Sequence, residues 1–382
     1  MTRLNFKFKF VVFILKGGVL MSKVLNVGII GTGELAQVVH LPILKELSEK
    51  FKVTALCDVS YNSLKYNGEK FGVSNLYTNV EDLVNDEDID VVFVCNSNEY
   101  HADAAIAAAN AGKHVLVEKP MVLSLSEAEA VIEAKNRNNV HVMVGYMRRY
   151  APAFEAAVKE IGGLDQILYA RVRDIIGPND YFIGQSGTYP KKFNDFPEEL
   201  NKERAEKSEK WIREALGEGA DETTIMLYYF LTALGSHDFS AMREALGMPE
   251  SVSGFAFNSG GFFINAILNY PSFNVVYETG MNNVGKFDAH LEVYGKDKMV
   301  RVEFDTPYIK GLPVKLIVSE TEGDLYKETV IRHTYKDPYT IELEALYDAI
   351  VHDQAIKTTP EDYRDDLIIF NMLIDFYKKQ KQ

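Results

Sequence analysis

Cysteine is nearly absent: Cys57 and Cys95 are the only two in 382 residues, and both close apolar runs. Two thiols cannot make a disulfide framework. The chain therefore reads as a cytoplasmic protein of a reducing compartment, folded around its own core with both thiols buried. Positive charge is also in short supply. Forty-one Lys and Arg face 55 Asp and Glu, a formal net charge of −14, and such a chain repels nucleic-acid backbone and anionic membranes. The eight histidines show no pairing with Cys or Glu at metal-ligand spacing, so no metal is expected. The apolar run Phe10-Val11-Val12-Phe13-Ile14-Leu15 is far shorter than the roughly 20 residues that span a bilayer. It is also short for a signal peptide, and no small-residue cleavage site follows it. Residues 1–20 are expected to be an extension, disordered or preceding the true start at Met21. A weak membrane or targeting segment is the alternative. There are no internal repeats.

What is present is ordinary for a globular protein: 47% apolar and 25% charged residues, enough length for two domains, and a core that needs no staples. The first half alternates strands and helices. Apolar runs at residues 24–30, 53–58, 90–96, 114–118 and 140–144 read as buried strands. The Ala-rich helix between the third and fourth of these stops at Gly112. Repeated strand–helix–strand units imply a parallel sheet with right-handed crossovers. The expected fold is α/β, with a Rossmann-type doubly wound sheet over residues 21–147.

The first strand runs straight into Gly31-Thr32-Gly33-Glu34-Leu35-Ala36. Gly31 permits a tight turn, Gly33 lets backbone approach a pyrophosphate, and Ala36 is small enough for close helix packing. The free N–H groups of the helix then face the phosphates. Asp58 ends the next strand, where a carboxylate accepts from ribose hydroxyls and repels a 2′-phosphate. NAD is thus expected as cofactor, with NADP disfavoured.

Two further stretches carry a family likeness: Asn96-Ser97-Asn98-Glu99-Tyr100-His101, and Ala111-Gly112-Lys113-His114-Val115-Leu116-Val117-Glu118-Lys119-Pro120. They resemble the Gfo/Idh/MocA oxidoreductases, and the likeness extends to residues 145–150, to Gly235-Ser236-His237 and to residues 358–364. It implies that residues 148–382 form an α+β domain built on a large open, mainly antiparallel sheet, which binds substrate and joins subunits of a homo-oligomer. It implies an NAD-dependent dehydrogenase acting on a polyol, sugar or inositol. Lys119 would touch the reacting hydroxyl, with His237 as its catalytic partner and Arg149 also at the substrate. A cis Lys119–Pro120 peptide is implied too. Beside a cationic nicotinamide an ammonium is disfavoured, so Lys119 can accept or relay a proton. Glu118, Lys119, Asn96, Asn98 and His101 would join the glycine-turn residues and Asp58 at the cofactor; for Asn96, Asn98 and His101, loop capping is the alternative. His237 has the alternative of a core or capping histidine.

The sequence departs from the family pattern at Ala233, where an Asp often stands, and at Met147, where Asn is common. Residues 174–182 read as a loop opening an insertion of residues 183–224, whose part from Glu198 to Leu216 is helix-forming. That insertion is either a lid or substrate loop, or a solvated excursion. Alternating segments between residues 261 and 304 read as strands, and residues 339–350 and 363–379 as closing helices. Two other classes of function stay open: a glycosidase or lyase that keeps NAD bound and cycles it, and an NAD-binding sensor without turnover.

Overall fold

β1 (Leu25–Ile30) is buried on both faces, with Leu25, Val27 and Ile29 fully shielded. A strand shielded on both sides belongs in the middle of a helix-covered parallel sheet, and that is its place. The structure, a computed structural model, describes residues 23–217, 219–258 and 262–382. The expectations for residues 1–20, and the start of the strand region at Gly261, lie outside these. β2 (Phe51–Cys57), β3 (Asn75–Tyr77), β4 (Val91–Val94), β5 (His114–Glu118) and β6 (Val142–Gly145) complete a six-stranded sheet. Its order is β3-β2-β1-β4-β5-β6, all parallel. The strand order reverses between β1 and β4, so a crevice opens beyond their carboxyl ends, where ligands bind in such sheets.

The helix His101–Asn110 buries Ala102, Ala104, Ala105, Ala108 and Ala109. Such small side chains let it lie close against Leu125–Asn138, whose start carries a reciprocal Ser124–Glu127 capping box. The chain re-enters this domain late. Helix Pro338–His352 sets Tyr347 edge-on to Phe51, ring centroids 5.6 Å apart, and Tyr347 donates to the Lys23 carbonyl at 2.8 Å.

The second sheet holds eight strands: β7 (Tyr169–Ile176), β8 (Ser251–Asn258), β9 (Phe263–Asn269), β10 (Asn274–Met281), β11 (Phe287–Tyr294), β12 (Lys298–Phe304), β13 (Lys315–Glu322) and β14 (Leu325–Ile331). Their order is β14-β13-β12-β11-β7-β10-β9-β8, antiparallel except where β7 runs beside β10. This is the expected open, mainly antiparallel sheet. One detail differs from the sequence reading. Asp174, Ile175 and Ile176 are not loop but the end of β7, and Asn179–Ile183 is a short helix. The alternation of β7 was hidden because one inward position is a charge, Asp174, which is fully buried against Arg148.

Candidate active site

Gly31 sits at φ +90°, and a Cβ on it would lie 2.5 Å from the Asn96 backbone nitrogen. The glycine turn is thus pressed against the end of β4, a packing no side chain permits. Gly33 is exposed, and a Cβ there would meet nothing within 4 Å, so the backbone is open to a ligand. The first bond inside the following helix runs from Gln37 N to Gly33 O at 3.1 Å. The amides just before Gln37 therefore lack partners within the helix and favour an anion. Thr32 is fully buried; its N–H and hydroxyl donate to Asp58 Oδ2 at 2.7 and 2.9 Å. Ser60 N–H donates to Asp58 Oδ1 at 2.9 Å. These bonds fix the carboxylate beside the glycine turn. Gly31, Gly33, Glu34, Asp58 and Asn96 line a cleft of about 750 Å³, and Leu35 packs into the core behind it.

The outer wall of that cleft comes from the insertion, through Lys191, Phe193, Phe196 and Leu200 among others. Gln37 and Lys191 exchange two hydrogen bonds, Lys191 N to Gln37 Oε1 at 2.9 Å and Gln37 Nε2 to Lys191 O at 3.0 Å. Tyr100 donates to Glu203 at 3.0 Å. Part of the insertion thus forms the outer wall of the cleft, while its helix Glu198–Leu216 buries only Ile212.

Asn98 stands in a single 3-10 turn, Asn98–Tyr100, beside the cleft rather than in its lining. His101 is shielded from it altogether. Its ring nitrogens lie 3.0 Å from Asn96 O and 2.8 Å from Pro120 O. It therefore ties the cleft loop to the cis Lys119–Pro120 turn, the capping role rather than a direct cofactor contact. Glu118 also faces inward, accepting from buried His40 at 2.7 Å and from Lys119 N at 3.3 Å. A Cβ on Gly145 would lie 3.1 Å from its carboxyl carbon, so β6 closes over it. Glu118 holds the lysine turn from behind.

Lys119 is half-buried at the end of β5, and its ammonium donates to the Ala233 carbonyl at 2.8 Å. That carbonyl belongs to a π turn, Leu231–Gly235, just before the helix Ser236–Leu246 that carries His237. π turns disturb the regular ladder and are frequent at functional sites. Ala233 thus supplies a backbone oxygen to the lysine in place of a side-chain carboxylate. Burial, with Arg148 adding to it, lowers the Lys119 pKa against the opposing pull of Glu118. His237 is 6% exposed, packs edge-on to Tyr146, and keeps Nδ1 buried without a protein partner. Burial first, then the Lys119 and Arg148 charges, hold its pKa well below 6.5, so the ring is neutral at pH 7. Lys119 thus bonds to the turn that leads into the helix of His237, and its charge bears on that imidazole.

The substrate role expected of Arg149 finds no support in its placement. Its guanidinium is 4% exposed, with Nε on Glu244 at 2.5 Å, Nη1 on Asp362 and Nη2 on the Lys357 carbonyl. It clamps the C-terminal segment onto the second domain. The neighbouring Arg148, not singled out from the sequence, lies beneath the site. It binds Asp238 at 2.8 Å and Asp174 at 3.0 Å, and Tyr277 adds a 3.2 Å bond to Asp238. Burial and the facing Asp174 push Asp238 well above the usual carboxylate range. The signal that could have found Arg148 was Asp174 itself, a charge at an inward strand position.

The first domain is therefore of the dinucleotide-binding type. Residues 25–146 are similar to the Gfo/Idh/MocA proteins, whose description is an oxidoreductase family with an NAD-binding Rossmann fold. Inositol 2-dehydrogenase of Salmonella paratyphi B is 38% identical over 128 residues, 33% of this chain and 38% of that protein. Myo-inositol 2-dehydrogenase of Thermotoga maritima is 32% identical over 167 residues, 43% of this chain and 49% of that protein. The chain thus matches less than two thirds of these curated relatives' length. Among solved structures, the aldose-aldose oxidoreductase of Caulobacter crescentus superposes with a TM-score of 0.70 at 20% identity, covering 94% of this chain and 99% of that one. At that identity the likeness speaks for the fold alone.

Proposed function

We propose that this chain is an NAD-dependent dehydrogenase that transfers a hydride between a hydroxyl-bearing carbon of a polyol, sugar or inositol and the nicotinamide. The observation that carries the reading is that Lys119 bonds to the Ala233 carbonyl of the turn leading into the His237 helix, while His237 Nδ1 is buried without a protein partner. The cleft suits the cofactor: Gly33 leaves open backbone, the helix amides favour a pyrophosphate, Asn96 Oδ1 is buried without a partner, and Asp58 stands ready for ribose hydroxyls. When bound, NAD supplies the hydride acceptor. Lys119 then takes the hydroxyl proton, the Ala233 carbonyl aims its nitrogen, and His237 receives or relays that proton from the other side of the substrate.

A panel of inositols, sugars and linear polyols with NAD, read as absorbance of the reduced cofactor, tests this. At least one member should give sustained reduced cofactor. Product without net reduction would instead mark a glycosidase or lyase that recycles bound NAD, and NAD binding with no product at all would mark a sensor.

The same reading makes the chain a cytoplasmic homo-oligomer joined through the open face of the second sheet, with no nucleic-acid or membrane partner. That face pairs Arg171 with Glu278 at 3.2 Å and Arg173 with Asp288 at 3.3 Å, and leaves Ile267 and Tyr294 in part exposed. No helix among the described residues is long and apolar enough to cross a membrane. Light scattering should give a multiple of 43.1 kDa; a mass of one chain would refute the interface.

A further inference from the structure

The adenosine end of the cleft carries a carboxylate that comes from the other half of the chain. Helix Tyr61–Phe71 begins three residues beyond Asp58, with Ser60 as its cap: the Ser60 hydroxyl accepts from Ser63 N–H at 3.0 Å. The same hydroxyl donates to Asp195 Oδ1, and Asn62 N–H donates to Asp195 Oδ2 at 3.0 Å. Ser60 therefore bridges two acids, its N–H on Asp58 and its O–H on Asp195. Asp195 lies in the insertion segment that walls the cleft, between the lining residues Phe193 and Phe196. Phe193 packs on Tyr66 of the same helix, ring centroids 5.8 Å apart, so the segment is seated there by more than the acid.

A carboxylate has about four lone-pair sites, and Asp58 uses three of them on Thr32 and Ser60. Room remains for a ribose hydroxyl. A phosphate on the 2′-oxygen needs donors instead, and the nearest ones past Asp58 are the Ser60 hydroxyl and the Asn62 amide. Both are already given to Asp195. The phosphate would meet two negative charges with both of these donors already engaged, and like charges at contact distance are disfavoured. Lysines line the same wall, but Lys192 is engaged by Glu34 at 3.3 Å, and Lys191 lies over the Tyr66 ring at 4.4 Å.

We propose that Asp195 is a specificity-determining residue that, from the second half of the chain, occupies the place of a 2′-phosphate and excludes NADP. The proposal rests on the reading of the cleft as an NAD site. Removing the acid frees two donors beside two lysines, so NADP binding is gained and not merely less opposed.

The test is calorimetric titration of the full chain with NAD and with NADP, for the wild type, Asp195→Ala and Asp195→Asn. The asparagine keeps the shape and a hydrogen-bonding oxygen but removes the charge. The ratio of the NADP to the NAD dissociation constant should fall by about tenfold or more in both variants. A ratio unchanged in both, or equal weakening of both cofactors in the alanine variant with recovery in the asparagine variant, would mean that Asp195 only pins the segment, and would overturn the proposal. A wild type that binds NAD poorly or prefers NADP would overturn the NAD reading itself, a result separable from the first because it needs no variant.

Discussion

Lys119→Ala should lower turnover on the best substrate of the panel by about 10²–10⁴-fold, the range for loss of an acid–base group, with NAD affinity close to wild type. The lysine touches no group of the glycine turn or of Asp58, which is why binding and turnover separate. The direction of its pH dependence follows from burial. Only the neutral amine accepts a proton, and burial lowers the Lys119 pKa from its ordinary 10.5. Oxidation should rise with pH through that lowered pKa and level off at a lower pH than an exposed lysine allows. Lys119→Arg keeps the positive charge but cannot release a proton at working pH, so it should lose both the activity and this limb of the profile. His237→Ala should cost less, about 10²-fold in turnover, again with NAD bound normally. Steady-state kinetics beside calorimetry decides. Near-normal turnover in either alanine variant would remove that residue from the mechanism.

Arg148→Met should destabilise the fold by about 3–5 kcal/mol, the cost of removing one partner from a buried ion pair. Arg148 is the cation between Asp174 and Asp238, all three buried. It also lies over the Phe304 and Phe287 rings, 5.1 and 5.6 Å from their centroids, and so joins the turn Met147–Tyr150 to the second sheet. Two acids face one cation, and burial with Asp174 alongside pushes the Asp238 pKa up. Without the cation, one acid is left buried and uncompensated. Adding Asp174→Asn to the methionine variant should restore part of the loss, because an amide needs no counter-charge. Denaturant unfolding measures both. A loss under about 1 kcal/mol for the single variant would mean that water reaches the acids and that the network is not a buried one.

The first domain was readable because its physics is local. A strand, a glycine turn and a helix follow one another within Leu25 to Ala36, and an acid ends the next strand; each element has a distinct period or a residue with one conformational use. Lys119 and His237 were identified through short motifs whose likeness is specific. The errors share a different origin. Arg148 and Arg149 are adjacent and chemically alike, and nothing along the chain says that the first enters a buried pair of acids while the second clamps the C-terminal segment. Asp174 hid a strand because its charge is compensated 26 residues away in sequence. His101 and Glu118 were assigned to the cofactor because they neighbour residues of the cleft and the lysine, yet both turn toward protein groups.

By itself the sequence determined the parallel sheet and the glycine turn that ends its first strand, since these follow from periodicity and glycine conformation, while Lys119 and His237 were singled out by the likeness of short motifs. Only the tertiary structure decided what surrounds them. The Ala233 carbonyl reaches Lys119 across 114 residues and Asp195 reaches Ser60 across 135. A backbone oxygen freed by a π turn, and a carboxylate carried in by a folded-back insertion, leave no periodic trace, because their partners meet only when the two halves of the chain have packed together.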